Sequence, residues 1–334
     1  MIRILTHWSV VLITLSLLVF LRVQDSNLTE TARLKSFDYL QSTDEKITSN
    51  DIVIVEIDEK SIEAYGQWPW PRDYLAHTIE YLRTEGAGLI IMPILFAEED
   101  RAGKDDILAT TLQNNGVIIA QVGTTQTNKN AVPRGIAKIG DPIPWLFEWP
   151  GMLGPIPILG ESADGVGVIN IAPESDGVVR RLPLIMTVDG ETYPSMAVET
   201  IRVATQAPSY QVKAGPTGVQ AVRVPGYPVI NTDSYGRIWL RWNKQFDSVS
   251  LTEATQEKVA GKIVIIGLTA EGIGSTIASP YGTEYAHMPV AVSLQTIING
   301  DNIIRTDLAD TYELAYLIAI GLLLIVAVRF LHYG

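Results

Sequence analysis

Two long apolar runs bracket the hydrophobic pattern of this chain. The first, Ile4 to Leu21, reads ILTHWSVVLITLSLLVFL, and the groups able to carry charge lie towards its edges, at Arg3, His7 and Arg22. The second, Tyr312 to Leu331, has the heart LAYLIAIGLLLIVAVRF, with Glu313 at one edge and Arg329 at the other. A helix needs about 20 apolar residues to cross roughly 30 Å of hydrocarbon, so both runs predict membrane-spanning helices. A cleaved signal peptide would require a small-residue cleavage site. Arg22, Val23, Gln24 and Asp25 stand there instead, which predicts an uncleaved anchor. The expected organisation is an anchor over 1–24, one folded domain over 25–308, and a second membrane helix over 309–334.

Between the runs the period changes repeatedly. Residues 27–41 read as a helix, with Leu28, Leu34, Phe37 and Leu40 apolar, that would continue the first span as a stalk. Asp51 to Asp58, DIVIVEID, alternates as a buried strand. A short helix or turn follows over 60–66. Pro71 then opens a helix to Arg83, a position where proline is tolerated. Ala87 to Leu95 is a second strand, 104–114 a helix, and Gly116 to Gly123 a third strand. Strand–helix–strand order predicts a parallel sheet covered by helices. The stretch 124–164, with six prolines from Pro133 to Pro157, reads as irregular surface structure. Strands are then expected at 165–171 and 182–188, joined by a turn at Asp176 and Gly177. A helix is expected at 194–206, short strands over 209–242, a last strand at 262–267 and a helix at 290–299. The predicted class is α/β: a mixed, largely parallel sheet flanked by helices, with a β-rich second half, between two transmembrane helices.

Charge adds orientation. Arg3 precedes the first run, and Arg329 and His332 close the second, while Asp25, Glu30, Asp307, Asp310 and Glu313 flank the inner sides. Positive residues favour the cytoplasm, which places both termini inside and 23–311 outside, although Arg22, Arg33, Lys35 and Arg305 oppose that trend. With 37 Asp+Glu against 25 Lys+Arg the formal charge is −12, so a phosphate backbone would be repelled and nucleic acid is not an expected partner. The absence of cysteine excludes disulfides and thiolate metal sites.

Four stretches, in order, carry a family resemblance: VEIDEKSIEAYGQWPWPR at 55–72, GLIIMPILFAEED at 88–100, GVGVINIAPESDGVVRRLPL at 165–184 and GKIVIIGLTAEGIG at 261–274. Together they resemble the CHASE2 family of extracytoplasmic sensor domains of bacterial cyclases, histidine kinases and related receptors. The resemblance implies a sensory domain outside the bacterial inner membrane. Its cyclase or kinase output would lie in a missing C-terminal part or a separate protein, so the chain itself is not expected to be an enzyme. It also implies the lipid bilayer, self-association and other membrane or extracytoplasmic proteins as partners. This sequence departs from the family pattern where Pro93 and Ser275 replace aspartates, and where Met288 and Val290 replace a glutamate and a histidine. Those losses support a second reading, a structural or assembly subunit with a degenerate ligand site.

Candidate chemistry is sparse. Gly267 to Ser275 follows a strand, but Gly272 precedes Ile273 rather than the lysine of a phosphate loop, so a tight strand-to-helix turn is expected. Gly165-Val-Gly167 lacks the third glycine of a dinucleotide fingerprint. Glu98, Glu99, Asp100, Asp105 and Asp106 lack the alternation of a calcium loop. No zinc-binding His pair or nucleophile elbow occurs; no catalytic residue, metal or cofactor is assigned. The ligand-binding candidates are Asp58, Trp68, Trp70, Arg72, Arg180 and Ser275. Asp58 ends a strand, where ligands of parallel sheets gather, but a helix cap or salt bridge would place it there equally well. Trp68-Pro-Trp-Pro-Arg72 is either an aromatic wall with a ligand-pairing arginine or a packed plug whose Arg72 bridges an internal acid such as Asp58. Arg180 and Arg181 either reach an anion or pair internally, and the internal pair is preferred.

Overall fold

The computed structural model describes residues 8–24, 27–304 and 308–331. Residues 3–7, Asp25, Arg305, Asp307 and His332, which entered the span and orientation readings, lie outside the described residues. In chain order, helices α1 (Trp8–Val23) and α2 (Asn27–Ser42) precede β1 (Ile47–Ile57), α3 (Glu59–Tyr65), α4 (Arg72–Thr84), β2 (Leu89–Leu95), α5 (Asp105–Leu112) and β3 (Val117–Thr124). Then come β4 (Ile136–Ile139), β5 (Phe147–Glu148), β6 (Gly151–Leu153), α6 (Pro157–Ser162), β7 (Gly165–Val168), β8 (Arg181–Pro183), β9 (Ile185–Val188), β10 (Glu191–Pro194) and α7 (Met196–Thr205). The chain continues through β11 (Tyr210–Gly215), β12 (Gly218–Arg223), β13 (Ile230–Asn231), β14 (Arg237–Trp239), β15 (Lys244–Ser250), α8 (Gln256–Val259) and β16 (Ile263–Leu268). It closes with β17 (Thr276–Ser279), β18 (Gly282–Tyr285), α9 (Met288–Asn299) and α10 (Ala309–Leu331).

The chain divides into two compact units, residues 41–304 and a helical unit of 1–40 with 305–334. The first unit is mixed α/β. Its main sheet runs β15-β1-β16-β2-β3-β7, every neighbouring pair parallel, and the far end of β3 also pairs antiparallel with β6. Parallel strands covered on both faces read as continuous apolar runs, and these do. The pleat divides each run by a period of two. Val53, Val55 and Ile57 of β1 join Val264 and Ile266 of β16 and Ile90 and Met92 of β2 in one core. Ile52, Ile54, Ile265 and Ile91 face the other. On the first face Leu75, Ile79 and Leu82 of α4 and Leu108 and Leu112 of α5 close the core, at the 3–4-residue spacing of one helical stripe. On the second, Ala197 and Ile201 of α7 and Val290, Leu294 and Ile297 of α9 do so, joined by Val212 and Val222 of β11 and β12.

Four predicted features are corrected. The stretch 124–164 holds β4, β5, β6 and α6, because its short strands find remote partners: β4 pairs with β11, β5 with β9 and β6 with β3. The expected strand at 182–188 is two strands, because β8 pairs with β14 while β9 pairs with β10 and β5. The strand beginning near Lys262 is not the last, because the hairpin β17–β18 follows it. The glycine loop after β16 therefore leads to a strand rather than a helix, with Gly272 at φ +85°.

In the helical unit, α10 contains a 20-residue stretch, Thr311–Phe330, long and apolar enough to cross a membrane. Among the described residues it is the one helix that meets that length, α1 being apolar but 16 residues long. The two helices pack together. Leu15 nests against Gly321, where a Cβ would fall 2.4 Å from a Leu15 methyl, and Arg22 pairs with Glu313 at 2.8 Å. A small residue at such a crossing lets two helices approach closely.

Candidate functional site

The carboxyl ends of β1 and β15 lie side by side and organise the first candidate, Asp58. Its Oδ1 accepts from the Ser61 backbone N–H (3.0 Å), the Ser61 hydroxyl (2.7 Å) and the Ser250 hydroxyl (2.8 Å). Burial acts to raise its pKa, but these donors outweigh it and hold the carboxyl below its ordinary value. Asp58 is thus the N-cap of α3. Glu59 alongside accepts from the Glu271 N–H at 2.7 Å, tying the glycine loop to the same helix. Ser275, in that loop, is exposed and offers its carbonyl to the Ala286 N–H.

The Trp-Pro-Trp-Pro-Arg turn caps the other end of α3. Trp70 is buried; its Nε1–H donates to the Gly66 carbonyl at 2.7 Å, and its ring meets Tyr65 and Trp68 edge-on, each at 5.5 Å. Arg72 turns away from Asp58. It pairs with Asp105 at 3.3 Å, donates to the Glu98 carbonyl at 3.0 Å, and lies 4.6 Å over the Phe96 ring. The bridge expected between Arg72 and Asp58 is therefore corrected. The acidic run after β2 supplies the partner, because α5 returns Asp105 to the end of that strand. Among the described residues no cluster of three or more His, Asp or Glu is placed to hold a metal ion.

Arg180 lies elsewhere, behind the Asp176–Gly177 turn. Its guanidinium is 1 % exposed and grips Asp176 through two 2.8 Å bonds. That contact holds the Asp176 carboxyl down at about 2. Arg181 forms a second fork on Glu174 and stacks over Trp239. Gly177 at φ +80° lets the chain turn tightly enough for both forks, a conformation costly for residues with a Cβ.

The candidates therefore do not converge. Asp58 and Trp70 stand at opposite ends of α3, roughly 10 Å of helix apart. Arg72 faces the β2 end, and Arg180 belongs to the turn before β8. Beside Trp70, however, opens a cleft of about 500 Å³ that the sequence reading missed. Its walls are Tyr65 of α3 and Tyr74, His77 and Tyr81 of α4, with Leu251 just past β15. The available signal was the spacing 74, 77, 81, one helical stripe opposite the buried stripe 75, 79, 82.

A family model described as CHASE2 domain matches residues 11–328, nearly the whole chain. The chain belongs to the CHASE2 domain family. No curated protein and no solved structure matches it. CHASE2 is an extracytoplasmic sensory domain family rather than a catalytic one. Within this CHASE2 domain Pro93, Met288 and Val290 have distinct surroundings. Pro93 sits where the pairing of β2 with β3 slips, a place that tolerates a residue without an N–H. Val290 is buried in α9, and Met288 lines a separate cleft with Tyr281 and Glu284. His287, beside them, is buried against Gly267, and burial pushes its imidazole down to about 4.

Proposed function

We propose that this chain is a membrane-anchored signal-input module whose domain over 25–308 lies outside the bacterial inner membrane. The regions 1–24 and 309–334 would form its transmembrane anchors, with both termini inside. A ligand or partner would shift the domain, the helices would move, and a cyclase or kinase output in another part of the protein or in a partner would respond. The observation that carries this reading is the pairing of α1 with the 20-residue apolar stretch of α10, in a chain of a sensory family. Most large apolar side chains of both helices are exposed, including Ile13, Leu17 and Phe20 of α1 and Leu322, Leu323 and Phe330 of α10, as lipid-facing residues would be. Self-association through these helices belongs to the same proposal.

Because the chain has no cysteine, single introduced thiols report topology directly. In intact cells, with the outer membrane permeabilised, Lys213→Cys should react with a membrane-impermeant maleimide. Tyr333→Cys should react only after lysis. The reverse pattern, or labelling of both before lysis, would remove the proposal.

The second reading, a scaffold subunit, draws on the apolar replacements at Met288 and Val290. It expects stoichiometric co-purification with a membrane complex and no cyclase or kinase partner.

A further inference from the structure

We infer that the aromatic cleft beside Trp70 binds a small methylated ammonium ion, of the quaternary ammonium class; this rests on reading the domain as a ligand-receiving sensory module. Leu251, the residue after β15, forms part of its wall, so the cleft adjoins the carboxyl end of a strand of the parallel sheet, where ligands gather. Its volume, about 500 Å³, falls within the range of small-molecule sites.

Five rings line it: Tyr65, Trp70, Tyr74, Tyr81 and the imidazole of His77. Tyr65 and Trp70 meet at 71°, so they form two walls of a corner rather than one flat platform. Rings set at a corner can turn their negative faces towards one enclosed charge, which is how aromatic cages hold cations. The three tyrosines are 39–46 % exposed, an unusual amount of aromatic surface to leave in water without use.

The polar groups narrow the class. The Trp70 N–H is spent on Gly66 and the Thr78 hydroxyl on Tyr74, both backbone carbonyls. No Lys or Arg lines the cleft to attract an anion. Lys60, one turn before Ala64, has its charge engaged by Glu253 at 2.6 Å. No carboxylate lines the cleft either, so a primary ammonium would meet only phenol and imidazole acceptors, with no counter-charge to offset its larger desolvation cost. A methylated ammonium has no donor to satisfy and presents only charge and apolar surface. The net charge of the chain, −12, favours a cation as well.

Calorimetry on the full chain in a nonionic detergent tests this with choline and tetramethylammonium. The control is 3,3-dimethylbutan-1-ol, the uncharged carbon isostere of choline. Saturable binding of both cations is expected, with choline about tenfold or more tighter than the isostere. Tyr65→Leu and Tyr81→Leu should each weaken choline about fivefold or more at an unchanged melting temperature, while Tyr65→Phe retains it. Absence of saturable cation binding, equal affinity for the isostere, or indifference to both leucine variants would each overturn the assignment. Maleimide labelling of Lys213→Cys reports the topology independently. A binding failure with the expected labelling thus rejects the ligand class and leaves the sensory reading standing.

Discussion

The two faces of the central sheet are made by the same strands and differ in what covers them. On one face α7 and α9 lie against Ile52, Ile54, Ile91 and Ile265, and β11 and β12 add Val212 and Val222 to the same core. The ionised groups there are closed in on themselves. Glu199 on α7 is fully buried, bonded by Arg202 at 2.9 Å and Arg134 at 3.3 Å, and its Oε1 also accepts from the Val166 N–H. On the other face α4 and α5 each bring one apolar stripe, and α3, α6 and α8 add single residues, Ile62, Leu159 and Val259. The outer side of α4 and the end of α3 are left as exposed tyrosines around a cleft. A doubly covered face is suited to holding the frame; a singly covered one leaves room for a ligand. The contrast explains why the buried charges gather on one side and the unspent aromatic surface on the other.

The comparison breaks most sharply if charge is removed from the closed face. Glu199→Ala removes the counter-charge of the buried Arg202 and the acceptor of the Val166 N–H, and should cost about 3–5 kcal/mol in unfolding measurements on the full chain. A loss below about 1 kcal/mol would mean that the network is wet and the face not closed.

Acid should act next, through His287 at the start of α9. Its folded pKa, about 4, lies below the ordinary 6.5 because burial disfavours the charged ring. The stabilisation is therefore complete above about pH 6.5 and is lost as pH falls towards 4, by about 3 kcal/mol in all. His287→Gln should flatten that part of the stability–pH curve. Below pH 4 the Asp176–Arg180 fork takes over: with its folded pKa near 2, its contribution is present above about 3.8 and fades as pH drops to 2.

On the open face effects should shrink. Asp105→Ala, which frees Arg72 from a partly exposed pair, should cost about 1–1.5 kcal/mol in thermal unfolding. Tyr74→Ser should change stability by no more than about 0.5 kcal/mol, because that ring is not part of the core. A large loss there would make the tyrosines packing residues and erase the distinction between the faces.

The parallel core was legible because its strands are covered twice: runs such as DIVIVEID and GKIVIIG carry their own signal. The stretch 124–164 was not, because a two-residue strand such as β5 exists only through its pairing with β9, some 40 residues on. Site legibility followed the same rule. Asp58 could be placed at a strand end and offered as a cap, both local matters, and the buried fork of Arg180 on Asp176 spans four residues. The partner of Arg72 could not be read, since Asp58 and Asp105 are equally plausible until α5 is seen to fold back. Nor could the cleft, whose Tyr65 and Tyr81 belong to different helices and, read singly, look like ordinary surface residues.

Hydrogen–deuterium exchange on the full chain, with and without saturating tetramethylammonium, tests most directly whether the sensory domain receives its ligand on the open face. The account predicts slow exchange in 196–205 and 288–299 under both conditions, and added protection on ligand binding confined to 59–84. Protection appearing instead in 196–205 or 288–299, or no change anywhere, would contradict it.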